Sequence, residues 1–308
     1  MAQRNRFLMS GYLLNTARIK LMSNWKKLTR GSYPYTYFKD KVKDQWDGKF
    51  ELNYSSEYKS LTYFDYEDAK AFHEGNKSIT IDLILALVYH DSRTSLESKV
   101  ELLGKSDDIL SLATDLNDKL SFIIDENYER FGLSGKYLSA IVQGKAASLF
   151  IRCYKKTEDK SWLELARKSL NHFDLQVKDG GIKRQLTLDM EWMEEYPSER
   201  PSMVLNGYLF WLIGLGEYCA VTNDSEYLEV FEKHLKSALN WLPVFKLNRG
   251  LLYSMYRWNH CNVHYMGIMK YQFEHLYKLT GISIFEEYAQ HCDKNTNWKV
   301  FNNLIGGG

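Results

Sequence analysis

Cysteine and proline are scarce in this chain of 308 residues, and each scarcity removes a class of structure. The four cysteines, Cys153, Cys219, Cys261 and Cys292, are scattered with no C-x-x-C pair, so no disulfide framework is expected. Free buried thiols suit a reducing compartment, and the expected location is cytoplasmic. With only four prolines, long stretches can run as uninterrupted helix. Three of the four, Pro197, Pro201 and Pro243, fall between helical patterns, where helix ends are expected. Net charge is almost missing as well: a formal +1 gives no broad field for neutralising phosphates, so no nucleic-acid partner is expected. No window reaches the roughly 18 to 20 apolar residues of a membrane span. The opening MAQRNRFLMSGYLL has too short an apolar run for a secretory leader. Neither a P-loop nor a G-x-G-x-x-G after a strand occurs, so nucleotide folds are unsupported and no cofactor is expected.

What is present is apolar and aromatic. Hydrophobic residues make up 44% of the chain, enough to build a core, and the 22 tyrosines and 8 tryptophans can either fill that core or stack on sugar faces. From Ile79 onward the apolar residues recur at helical spacing, as in IDLILALVYH, DDILSLATDLNDKLSFII and YLSAIVQGKAASLFIRCY. Residues 1–75 show no clear period and are assigned to an extended N-terminal segment, with the helical domain at 76–308. Within that segment, Lys20 to Lys43 is rich in Lys, Arg and aromatics: a solvated arm, or a patch for an anionic polymer or membrane surface.

A weak internal repeat organises the helices. TEDKSWLELA from Thr157, TNDSEYLEVF from Thr222 and TGISIFEEYA from Thr280 align, each with a Thr, an aromatic five residues on (Trp162, Tyr227, Phe285) and a Glu seven on (Glu164, Glu229, Glu287). Repeated hairpins about sixty residues apart predict a mostly α chain: an (α/α) toroid or incomplete barrel of antiparallel helix pairs. The repeat turns belong at one end. The irregular connections Lys178 to Ser202 and Pro243 to Asn262 belong at the other, where a cleft is expected.

The stretch EWMEEYPSERPSMVLNGYLFWLIGLGEY, Glu191 to Tyr218, resembles the signature of the C-terminal domain of glucuronyl C5-epimerases, with its WxEEYP, VLNG and IGL elements. The flanks YLSAIVQGKAASLFIRCYKKTEDKSWLELA and GLLYSMYRWNHCNVHYMGIMKYQFEHLYKLTG are similar to the family's SA-x-x-QG-x-A helix, tyrosine turn and His-containing helix. The resemblance covers Gly135 to Asp293, about half of the chain. It implies an α/α barrel whose mouth takes a uronic-acid-containing oligo- or polysaccharide and inverts C5, as in polysaccharide biosynthesis. By position it implies Glu195 as catalytic carboxylate, Tyr253 as catalytic tyrosine and His260 in place of a second tyrosine. Gln143, Tyr196, Asn206 and His264 follow as substrate-binding residues. Where the family continues from its tyrosine with Asp-Leu-Arg, this chain has Ser254 and Met255, which leaves Arg257 as the nearest cation. The β-rich portion that precedes the barrel in the family has no counterpart read in the first 130 residues.

The chemistry explains why those residue types would be needed. Removing the hydrogen on C5 of a uronate leaves charge on the carboxyl oxygens, so a site needs donors there and acid/base groups on both ring faces. Each candidate also has a plainer reading. Glu194 and Glu195 would make a solvated turn before Pro197, Tyr253 a packing ring, Asn206 a helix start and Arg257 an exposed cation. His260 and His264, four apart, are read as polar cleft residues rather than a zinc pair, since H-E-x-x-H is absent and no metal is expected. A lyase or glycoside hydrolase on the same scaffold, or a glycan binder without chemistry, are the competing functions. A second copy of the chain is allowed as partner.

Overall fold

The Thr repeat explains how the chain turns back on itself. In the computed structural model, which describes residues 49–54, 83, 104, 106–187, 190–256 and 259–295, each repeat Thr is the last residue of a long helix. Thr157, Thr222 and Thr280 donate from Oγ1 to the carbonyl four residues back at 2.9, 2.9 and 2.6 Å. Each also accepts from the N–H two residues on, at 3.2 to 3.3 Å. The residue after each Thr (Glu158, Asn223, Gly281) is left-handed, which ends the helix. Asp159 and Asp224 then accept from the first N–H groups of the next helix, as capping oxygens do.

Three antiparallel pairs result: α1 (Ala140–Thr157) with α2 (Ser161–Leu170), α3 (Leu205–Thr222) with α4 (Ser225–Phe245), and α5 (Val263–Thr280) with α6 (Ser283–Asn295). The inner helices α1, α3 and α5 pack in that order, with α3 between the other two. α3 is apolar on every side and is buried from Leu205 to Cys219, as a helix enclosed by others must be. The arrangement is an incomplete (α/α) toroid; among the described residues the ring does not close.

Two glycines set how closely α1 and α3 cross. A Cβ on Gly144 would strike the Trp211 backbone at 2.7 Å or less, and one on Gly214 would strike the Gly144 backbone. Farther along, Arg152 of α1 forks onto Glu217 of α3 at 3.0 and 3.2 Å, and His275 of α5 meets the same carboxylate at 3.0 Å. The partners advance together along all three helices, so the inner helices run parallel and their N-termini share one end.

The helical period read over DDILSLATDLNDKLSFII does not hold beyond Leu110. Residues 106–110 are helical, but β1 (Thr114–Leu116) and β2 (Lys119–Ser121) form a hairpin, and β3 (Ile123–Asp125) pairs with β4 (Lys136–Leu138). The cause is the two-residue loop Asn117–Asp118, where both residues take positive φ (51° and 62°), the geometry of a tight hairpin turn. Leu120 and Phe122 are buried and Ile124 is half-buried, an alternation that helical spacing masks. Short β-hairpins thus stand ahead of α1, where none had been read. The connection after α2 likewise holds a hairpin, β5 (Lys183–Thr187) with β6 (Met190–Met193), and a last pair, β7 (Leu252–Ser254) with β8 (Asn259–His260), precedes α5.

Pro243 also departs from expectation: it lies inside α4, not between helices. It removes one helical donor, but Leu242, Val244 and Phe245 are buried around it and hold the last turn in place. The boundary at 75/76, the stretch Lys20 to Lys43 and Arg257 lie outside the described residues. Among the described residues no helix is long and apolar enough to cross a membrane, and no His/Cys/Asp/Glu group is arranged to hold a metal ion. Cys153, Cys219 and Cys292 are buried and Cys261 is half-buried.

Candidate active site

At the N-terminal end of the inner helices, the connections before α3 and before α5 are tied together. Met255 N donates to Met203 O at 3.3 Å, Tyr256 N to Ser202 O at 3.2 Å, and Val204 bridges Ser254. The first connection is anchored in turn to α1: Ala140 N donates to Glu194 O at 3.0 Å and Ser139 Oγ to Glu195 O at 2.7 Å. This scaffold places two neighbouring carboxylates in opposite environments.

Glu194 is fully buried and saturated. Arg184 Nε reaches it at 2.6 Å, Ser202 N at 3.1 Å and Met203 N at 2.8 Å, and the Ser202 hydroxyl donates as well. These contacts hold Met203 at its positive φ of 41° and shape the loop. Glu195 is 5% exposed, yet its Oε2 meets no hydrogen-bond partner. The carboxyl lies against Gly207, where a Cβ would overlap it, which is why the VLNG turn needs its glycine. Burial drives the Glu195 carboxyl up to about 7; the Tyr196 hydroxyl, the Lys145 ammonium and the Gly207 N–H recover part of that rise. The solvated acidic turn is therefore excluded for both residues.

Beside Glu195, phenols stay protonated. Burial first, and then the Glu195 charge, pushes Tyr196 and Tyr253 far above the usual phenol range, and burial raises Tyr265 as well. Their hydroxyls form a line in which Tyr196 engages Glu195, Tyr253 engages Tyr196, and Tyr265 engages Tyr253. The Tyr253 and Tyr265 rings lie 4.6 Å apart, and Tyr196 stacks on Phe131 at 4.4 Å. Glu195 and Tyr196 line a cavity of about 500 Å³, to which the β3–β4 region contributes Asp125, Glu126, Tyr128 and Tyr137. Its size suits a sugar-sized ligand.

The remaining expected residues spread out from this point. Asn206 is buried beside Gly207, with Oδ1 unpartnered and its carbonyl held by Gln272 at 2.7 Å. Gln143 is fully buried in α1 and ties that helix to Phe122 O at 3.0 Å. His264 is half-buried at the start of α5, and burial lowers it from the usual imidazole value. His260 is exposed on β8. Tyr253 is buried and does not line the cavity; its hydroxyl engages that of Tyr196, which does.

Two residues here escaped the sequence reading. Arg130 sits in a short turn after β3, with its guanidinium 5.9 Å from the Tyr253 ring and 5.8 Å from that of Phe131. Lys145 follows Gln143 and Gly144 in α1, is 2% exposed, and has no hydrogen-bond partner on Nζ. The signal for Lys145 was a lysine in a helix that carries no other charge from Ala140 to Ile151; Arg130 left none.

Fold and site together define an incomplete helical toroid with a buried carboxyl and phenols beside a cavity at one end of its inner helices. Residues 117–294 match the family described as the D-glucuronyl C5-epimerase C-terminus, and the chain belongs to that family. It is 28% identical over 161 residues to the uncharacterized protein MJ1128 of Methanocaldococcus jannaschii, covering 51% of this chain and 52% of that one. It is 31% identical over 129 residues to the D-glucuronyl C5-epimerase of Caenorhabditis elegans, covering 38% of this chain and 21% of that enzyme. The matches thus span about half the length of the first relative and about a fifth of the second. A crystal structure of D-mannose isomerase is similar with a TM-score of 0.48 and 12% identity, over 72% of this chain and 60% of that one.

Proposed function

We propose that the protein is a carbohydrate epimerase acting on a uronic-acid-containing oligo- or polysaccharide, by removal and return of the proton at C5. One observation carries this reading: Glu195 is a buried carboxyl poised near neutrality at the wall of a sugar-sized cavity, beside phenols that burial keeps protonated. A general base works best when its pKa lies near the working pH. Glu195 takes the C5 proton, and the electron pair moves onto the uronate carboxylate. The proton returned to the other face of the ring comes from a phenol on the β3–β4 side of the cavity, Tyr128 or Tyr137, while Tyr196 and Tyr253, joined to Glu195 through their hydroxyls, relay protons to and from that carboxyl. Arg130 receives the carboxylate at the cavity edge, and the N-terminal ends of α1 and α3 favour the same negative charge. His260 and His264 contact the glycan beyond the reacting unit, and Asn206 and Gln143 hold the floor under it. Arg257, four residues after Tyr253 in the sequence, is kept as a further substrate contact.

A glycoside hydrolase is the second reading, because Asp125 and Glu126 bring further carboxylates to the same cavity. Incubation with glucuronate-containing oligosaccharides, followed by analysis of the uronate units, separates the functions. Iduronate at constant chain length supports epimerisation. An unsaturated uronate shows elimination by a lyase, new reducing ends show hydrolysis, and binding with no product shows a glycan-binding protein.

A further inference from the structure

Two buried polar atoms at the head of α1 and α3 lack hydrogen-bond partners and carry opposite chemistry: Lys145 Nζ and Glu195 Oε2. Both press on the same face of α3. Glu195 lies on Gly207, and the Lys145 ammonium sits 3.6 Å from the centre of the Phe210 ring. Residues three apart in a helix are surface neighbours, about 5 to 6 Å between Cβ atoms, so the two side chains occupy adjoining places. The backbone holds them there from both directions. Gly144 fixes the crossing of α1 over α3 one residue before Lys145, while Ser139 and Ala140 grip the carbonyls of Glu195 and Glu194.

A lysine in a packed helix ordinarily extends its ammonium to water. This one does not, and the other nearby ionic groups are already engaged: Arg152 with Glu217, and Glu194 with Arg184. We propose that Lys145 is a positioning residue for Glu195: its ammonium charge acts on the carboxyl across the α3 face, without a direct hydrogen bond, and so sets the pH at which the carboxyl can act as a base. The proposal rests on Glu195 being the reacting carboxylate, but its direct readout needs no substrate.

Burial pushes the amine down to about 7 and the carboxyl up to about 7, and each partner opposes the other's shift. The charged and titratable groups facing them are Arg152 for the amine and Tyr196 and Glu194 for the carboxyl; Tyr137, Tyr253 and Tyr265 feel the carboxyl's charge. Below both values the pair holds two protons and a net positive charge. Above both it holds none and is negative. Between them it holds one proton, is neutral, and presents Glu195 as a base.

Infrared spectroscopy of the full chain can follow the protonated C=O stretch of Glu195 against pH, assigned by its loss in Glu195→Gln. The wild-type band should disappear through the neutral range. In Lys145→Met, which keeps the apolar stem and removes the charge, the midpoint should rise by about one pH unit or more, a tenfold change in proton affinity. In Lys145→Arg, whose cation does not deprotonate, it should fall. The pH profile of turnover should move with the band, and kcat should change more than KM. If Lys145→Met does not fold, Glu195→Gln reads the same coupling from the other side, as a lower titration midpoint of the Lys145 amine by nitrogen-15 resonance. Unchanged midpoints in the Lys145 variants, or an unchanged amine in Glu195→Gln, overturn the proposal. Shifted midpoints in a protein that turns over no uronate would uphold the pair and sink the epimerase reading instead.

Discussion

Replacing Glu195 by Gln is expected to stabilise the protein while abolishing its chemistry. An unperturbed glutamate titrates at 4.5, whereas burial holds Glu195 at about 7 in the folded chain. Between these values the folded state binds the extra proton, so stability falls as pH rises through the window and levels off above it. A gap of about 2.5 pH units, at about 1.4 kcal/mol each, comes to roughly 3 kcal/mol. Gln keeps the shape without the charge and should recover that amount at about pH 8 and almost none at about pH 5. Lys145 changes this little at the higher pH, since burial has by then released most of its proton. Urea unfolding at the two pH values is the assay. Glu194→Gln is the contrast. Its carboxylate accepts from Arg184, Ser202 and Met203, and breaking such a buried pair costs about 3 to 5 kcal/mol. If Glu195→Gln is destabilised at about pH 8 as much as Glu194→Gln, then Glu195 is a structural carboxylate and the reasoning fails.

Four further outcomes follow from the geometry. Gly207→Ala places a Cβ on the Glu195 side chain, and a displacement of about 1 Å should lower turnover about 10²-fold in a protein that still folds, measured by kcat beside thermal unfolding. Gly144→Ala, at the α1–α3 crossing, should instead cost about 1 to 3 kcal/mol of stability in denaturant titration. In Glu217, burial alone would raise the carboxyl, but Arg152 and His275 hold it at about 2. Its stabilisation is complete above 4.5 and is lost as pH falls toward 2, so Glu217→Gln should flatten the acid limb of the stability profile. Arg130→Gln should raise KM for a uronate oligosaccharide about tenfold, the worth of one charge-assisted hydrogen bond, with kcat less affected.

The parts of this fold legible from the sequence were those that local chemistry dictates. A helix-ending Thr, a left-handed residue and an aromatic recur because each hairpin needs all three, and the repeat at Thr157, Thr222 and Thr280 exposed them. The β1–β2 hairpin was missed because Leu110, Leu112, Leu116 and Leu120 satisfy a helical period as well as a strand alternation. The deciding signal was Asn117–Asp118, a turn pair that periodicity ignores. Pro243 misled for a related reason: local preference ends a helix there, and burial of its neighbours overrides it. At the site, Glu194 and Glu195 are identical in sequence terms. Only the fold separates them, by giving Glu194 four donors and leaving the Oε2 of Glu195 with none. Lys145 was hidden likewise, because a single lysine in an apolar helix says nothing about whether its ammonium reaches water.

The most direct test is wash-in of deuterium from heavy water into a glucuronate oligosaccharide, read at C5 by nuclear magnetic resonance. The wild-type chain should label C5, Tyr253→Phe should slow labelling by about 10² to 10⁴-fold, and Glu195→Gln should show none above background. Labelling that persists undiminished in Glu195→Gln, or an oligosaccharide that binds the wild-type cleft and never exchanges, would contradict a carbanion chemistry built on this buried carboxyl.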